Sequence, residues 1–158
     1  MTTYLSIRNL TVRLSNGRTI LRSVSLEVLR GAVHGIVGES GAGKSMIGKA
    51  VLGTLPRAMQ VTGGEIWLDD VNLLRLSAKE RRRRIGASAA LIPQDPSTAL
   101  NPSKRVGPQI TKRLVDILGW RKADADTHAR TMLRQVQISH IDRVMRSYPH
   151  ELSGGMRQ

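Results

Sequence analysis

Apolar residues near the start of the chain recur at every second position. Leu5 and Ile7, then Leu10, Val12 and Leu14, alternate with polar residues, the mark of strands with one buried face. Ser15-Asn16-Gly17 follows as a hairpin turn, and Val24, Leu26 and Val28 resume the alternation until Arg30-Gly31 breaks it. Residues 33–37, VHGIV, are apolar on both faces, as in a buried parallel strand that expects a neighbour on each side. That run ends at Gly38, and MIGKAVLGTL then carries Ile47, Val51 and Leu52 at helical spacing. The segment reads as strand, glycine loop, helix.

Residues 53–64 hold Gly53, Pro56, Gly63 and Gly64 and read as a loop before a strand, EIWLDD. AKERRRRIG is a basic helix candidate ahead of the apolar run ALIP at 90–93. After Pro96 and Pro102 the spacing changes: Ile110, Leu114, Ile117 and Leu118, then Met132, Leu133 and Val136, follow a helical period, so the second half is expected to be helical. There is no internal repeat, and the only biased segment is Arg81 to Arg84.

At 158 residues and 40% apolar composition the chain is sized for one globular domain with an aliphatic core, since Trp67, Trp120, Tyr4 and Tyr148 are the only aromatic residues. The absence of Cys excludes disulfides, thiolate-held zinc, iron–sulfur clusters and thiol nucleophiles. No apolar stretch is long enough for a membrane span, and the first residues have neither a basic nor an apolar leader region, so export or insertion is not expected. A formal charge of +13 directs attention to polyanionic partners without choosing among them.

Gly38-Glu39-Ser40-Gly41-Ala42-Gly43-Lys44-Ser45 satisfies G-x-x-x-x-G-K-[ST] between a strand and a helix. Glycines let successive amides converge on phosphate oxygens, and the helix that opens at Lys44 directs its positive end at them. The Lys44 ammonium suits the β- and γ-phosphates and the Ser45 hydroxyl suits Mg²⁺, so ATP with Mg²⁺ is the expected ligand pair. Leu152-Ser153-Gly154-Gly155-Met156-Arg157-Gln158 closes the sequence. Its serine and glycine amides would head a helix and form a second anion site.

LSGG-x-x-Q after a P-loop resembles the signature of the ABC ATPases. The resemblance implies an α/β P-loop fold, with an antiparallel β region, a parallel core and a helical subdomain. It implies that Ser153, Gly154, Gly155 and Gln158 close over ATP held by the P-loop of a second such subunit. Gln94 matches the glutamine whose amide oxygen reaches Mg²⁺, at the junction of a nucleotide core (1–94) and a helical subdomain (95–158). The strings Gln94-Asp95-Pro96 to Leu100-Asn101-Pro102 and Tyr148-Pro149-His150-Glu151 resemble the oligopeptide, dipeptide and nickel importer branch. That branch implies uptake of peptides or a related small solute, with integral membrane permease subunits as partners. It also implies a peripheral place on the cytoplasmic side of the inner membrane.

Three departures qualify the likeness. Leu14 stands where the family commonly stacks an aromatic ring on adenine, and Pro93 replaces an aromatic before Gln94. The Walker B carboxylates and the switch histidine match no position up to Gln158, so no catalytic residue is named. The expectation is a C-terminally incomplete domain without sustained turnover on its own. His34, His128, His140 and His150 read as surface or turn histidines, Glu39 and Glu151 as poor general bases, and Arg81 to Arg84 as a solvated helix face. A catalytically inactive nucleotide-binding remnant is the first alternative. A DNA-repair type ABC ATPase is a lesser one, because Gln94 to Ser153 contains neither heptads nor Cys and nucleic acid is not an expected partner.

Overall fold

The computed structural model describes residues 2–93, 95 and 99–157. They form two compact units, Met1–Ile85 and Gly86–Gln158. In the first, β1 (Thr3–Leu14) pairs antiparallel with β2 (Thr19–Leu29) on one side and with β3 (Met59–Leu68) on the other. A short β4 (Val71–Asn72) adds to β3, giving the order β2-β1-β3-β4. The turn at residues 15–17 forms as the sequence indicates, with Gly17 at φ +86° and its amide donating to the Leu14 carbonyl at 2.9 Å.

The step from Ile7 to Leu10 breaks the alternation, and the ladder shifts register there. Asn9 adopts φ +51°, and its amide donates to Ser25 Oγ at 2.9 Å. The Ser23 amide turns likewise to Thr11 Oγ1 at 3.2 Å. Side chains thereby replace ladder bonds at the bulge, and Ile7, Leu10 and Val12 remain on the buried face with Ile66 and Leu68.

Two expectations need correction. Residues 59–64 are strand, not loop: Gly64 lies at φ +93°, and an added Cβ would stand 2.5 Å from the Asn9 carbonyl oxygen and 2.6 Å from that of Arg8. The glycines mark a close backbone approach between β1 and β3. Residues 33–37 form no strand, with Val33 101% and Val37 96% exposed. A strand apolar on both faces needs backbone and side-chain partners on each side, and no described segment pairs with it. Leu91 and Ile92 are exposed in the same way. The described sheet is wholly antiparallel.

The first unit also holds α1 (Lys44–Leu52), and α2 (Ala78–Ser88) begins in it through Ser77, whose hydroxyl and amide both donate to the Glu80 carboxylate. The arginine run is divided in use. Arg84 reaches Asp69, which also pairs with Arg30, and the Arg81 guanidinium lies against Gly53.

In the second unit, α3 (Val106–Asp116), α4 (Lys122–Gln135) and α5 (Ile141–Arg146) bear out the helical reading. Gly107 brings α3 onto the backbone of α5, where an added Cβ would lie 2.7 Å from the Met145 carbonyl oxygen. Val106, Val144 and Leu152 form the buried core there, with Ile110, Ile138 and Met156 packed around it. Among the described residues, no helix is long and apolar enough to cross a membrane.

Candidate functional site

The glycine loop runs from Gly38 to Gly43 and enters α1 without a side-chain cap. Gly41 and Gly43 lie at φ +86° and +88°, a conformation that an L side chain resists. At Gly43 the fit is also steric. A Cβ would meet Leu21 Cδ2 at 2.7 Å and the Ile20 carbonyl oxygen at 3.4 Å, so the glycine seats the loop against β2. Leu21, only 2% exposed, is thus part of the loop's support. Its signal was an apolar residue out of phase with Val24, Leu26 and Val28, the β2 counterpart of the break at Asn9.

Lys44 Nζ donates to the carbonyl oxygens of Gly38 at 2.7 Å and Glu39 at 2.6 Å. The side chain therefore arches back over the loop and holds its ammonium at the loop's mouth. No acidic residue stands in the first turn of α1 to compete for the positive helix end. Ser45 is exposed beside Lys44. An ammonium, a hydroxyl, an uncapped helix start and a loop whose Gly41 and Gly43 take positive φ make a set rich in donors. Such a set fits phosphate oxygens and a phosphate-bound cation. Leu14 sits half-buried at the end of β1 opposite Met59, offering apolar surface without a ring.

The second motif is placed by the helical core. Leu152, 7% exposed, anchors the chain just before Ser153. Ser153 Oγ accepts the Met156 amide at 3.3 Å and its carbonyl accepts that of Arg157 at 3.0 Å, capping the short α6 (Gly154–Arg157). Nothing crowds the Cα positions of Gly154 and Gly155. Glu151 is committed locally, accepting the Tyr148 amide at 2.6 Å. Gln94 and Gln158 lie outside the described residues. The glycine loop belongs to the first compact unit and Ser153 to the second.

His128 packs edge-on to Trp120 with ring centroids 5.1 Å apart, and His150 stacks on Tyr148 at 5.7 Å. His140 starts α5 in the left-handed region, and His34 is exposed.

An antiparallel hairpin sheet, a glycine loop feeding a helix, and a helical unit leading into a Ser-Gly-Gly cap define the fold class of the P-loop ABC ATPases. The chain belongs to the ABC transporter family, whose model matches residues 21–158. It is 38% identical over 163 residues to the peptide transport system ATP-binding protein SapD of Escherichia coli, covering 96% of this chain and 48% of that protein. It is 40% identical over 158 residues to the dipeptide transport ATP-binding protein DppD of Bacillus subtilis, covering 98% of this chain and 47% of that one. The chain thus spans about half the length of the curated relatives it matches. Among solved structures, a dimeric ATP-binding cassette bound to ADP and Pi in a post-hydrolysis state superposes with a TM-score of 0.79. At 21% identity, covering 97% of this chain and 65% of that one, it supports the fold.

Proposed function

We propose that this chain is the ATP-binding part of an ABC importer subunit for peptides or a related small solute. The observation that carries the nucleotide reading is Lys44: its ammonium rests on two neutral carbonyls at the mouth of an uncapped helix start. Phosphate oxygens are stronger acceptors than carbonyls, so a nucleotide would draw Lys44 off Gly38 and Glu39 onto the β- and γ-phosphates. Gly38, Glu39, Ser40, Gly41, Ala42 and Gly43 would supply the backbone cradle, and Ser45 with Gln94 would be this chain's ligands to Mg²⁺. Bound Mg²⁺ contributes neutralisation of phosphate charge.

The peptide reading comes from the relatives named above and from the strings around Gln94 and Tyr148. In the same proposal residues 1–94 form the nucleotide core and 95–158 the helical subdomain. Ser153, Gly154, Gly155 and Gln158 face the nucleotide of a second ATPase subunit. The partners are integral membrane permease subunits at the cytoplasmic face, where the chain is peripheral. No described residue is proposed as the general base.

Calorimetric titration with ATP, with and without Mg²⁺, tests the nucleotide step. Losing the charge-assisted contacts of Lys44, at about 1.5–3 kcal/mol each, should weaken ATP about a hundredfold in Lys44→Ala. Ser45→Ala should remove mainly the Mg²⁺-dependent part. Equal ATP affinity in wild type and Lys44→Ala would overturn the assignment.

A further inference from the structure

Among the described residues, three basic side chains of the helical unit are matched by carboxylates. Lys112 pairs with Asp116, Arg121 with Asp124, and Arg130 with both Asp126 and Asp142. Three of the remaining arginines share one concavity. Arg105, just before α3, and Arg143 and Arg146, one turn apart on α5, form no ion pair among the described residues, yet all three line one shallow cleft. Its volume is about 520 Å³, and its other walls are Ser147, Tyr148 and Glu151.

The one carboxylate in that lining, Glu151, is already engaged by the Tyr148 amide. Arg105 is positioned rather than free. It donates to the Arg146 carbonyl, and its guanidinium lies 5.3 Å over the Tyr148 ring. Ser147 is equally committed, its hydroxyl donating to the Arg143 carbonyl at 3.0 Å. Three guanidiniums against one carboxylate leave the concavity an excess of positive charge that a further anion offsets. Their planar donor forks suit the tetrahedral oxygens of a phosphoryl group, which can carry two negative charges.

We propose that this cleft is a second anion site, distinct from the glycine loop, that binds a phosphate-class oxyanion. The cleft is larger than phosphate itself, so the ligand is a phosphomonoester or a phospholipid headgroup, with the phosphoryl group shared by both. The site borders the signature segment. The Val106 amide donates to the Ser147 carbonyl at 2.9 Å, and Val106 packs with Leu152, the residue before Ser153. An occupant would therefore stiffen the turn that leads into Ser153. The proposal rests on the helical unit alone and does not depend on the nucleotide reading.

The test uses the full chain carrying Lys44→Ala, which removes phosphate binding at the glycine loop. Inorganic phosphate is titrated while backbone amide NMR shifts of residues 143–152 are followed, with chloride at equal ionic strength as the control. The expected result is saturable shifts with phosphate only. Adding Arg143→Gln and Arg146→Gln together should weaken them at least about tenfold, since each lost charge-assisted contact is worth roughly that factor. Glu151→Gln, which removes the competing carboxylate but keeps a carbonyl for the Tyr148 amide, should tighten phosphate a few-fold. An unchanged melting curve in the double glutamine variant establishes that it folds. Flotation with vesicles of phosphatidylcholine, with and without phosphatidic acid, assigns the source. Flotation that needs both phosphatidic acid and the arginine pair identifies a headgroup. Flotation indifferent to the pair leaves a soluble phosphomonoester as the ligand. Shifts that never saturate, or that survive the double substitution, would overturn the proposal.

Discussion

Gly64→Ala tests the packing that holds the antiparallel sheet together, and Gly17→Ala is its internal control. Both glycines have positive φ, +93° and +86°. An L residue in the left-handed region costs about 1–2 kcal/mol, and both variants carry that penalty. They differ in surroundings. A methyl at Gly17 meets nothing within 4 Å, whereas one at Gly64 would stand 2.5–2.6 Å from backbone atoms of Arg8 and Asn9. No rotamer change relieves a clash with carbonyl oxygens, and β1 is held from its other side by β2. Overpacking adds about 1–3 kcal/mol, so Gly64→Ala should cost about 2–5 kcal/mol in total against 1–2 for Gly17→Ala.

The assay follows Trp67, which lies in β3 opposite Ser6 and Asn72, in a Trp120→Phe background so that its fluorescence reports the sheet unit alone. At about 2–4 °C per kcal/mol for a chain of this size, the Gly64 variant should melt roughly 10 °C below the parent and the Gly17 variant roughly 4 °C below. Equal losses in the two variants would refute the argument, because they would show that φ alone matters and that β1 and β3 do not approach as closely as described.

Alternation with a local turn was legible because a hairpin is decided by neighbours in sequence. β1, β2 and the turn at Gly17 follow directly, and even the bulge at Asn9 was written in the step from Ile7 to Leu10. α1 was legible through the glycine loop that precedes it, and the helical second half through period alone. Within the glycine-rich segment 53–64, residues 53–58 are loop as expected, and 59–64 are strand because the same residue type serves a turn and a close strand approach. Only the proximity of the Arg8 and Asn9 carbonyls distinguishes the two, and that is a contact across more than fifty residues. The run at 33–37 was misread for the complementary reason. Its composition reports what the segment would bury, but strand formation depends on partners elsewhere, and an apolar run cannot carry them with it. For the site, the loop residues and Lys44 were explicit in the motif, while Leu21, which seats Gly43, was hidden because its role is steric support and not chemistry.

Two further predictions concern the helices. The Ser77 hydroxyl and amide, by donating to Glu80, hold its carboxyl below the usual glutamate range. A lowered folded pKa means the contribution is present above the unfolded value and lost as pH falls through the folded one. The stability difference between wild type and Ser77→Ala should therefore shrink on acidification below the ordinary glutamate range. Melting curves collected across that range check it, and a gap that widens in acid would contradict it. The last prediction sets two helical glycines against each other. Replacing glycine by alanine within a helix gains about 1 kcal/mol of propensity, and at Gly48 of α1, with nothing within 4 Å of the new methyl, that gain should appear undiminished. At Gly107 the methyl would stand 2.7 Å from the Met145 carbonyl oxygen and 3.1 Å from its Cε. Opening α3 from α5 also strains the hydrogen bond from the Val106 amide to Ser147 and the core of Val106, Val144 and Leu152. At about 1–3 kcal/mol, overpacking should outweigh propensity, so denaturant titration should show Gly48→Ala stabilised and Gly107→Ala destabilised. The shift of the Ser153 amide should move in the second variant only, since that core leads into it. Stabilisation by both substitutions would show that α3 and α5 are not in backbone contact at Gly107.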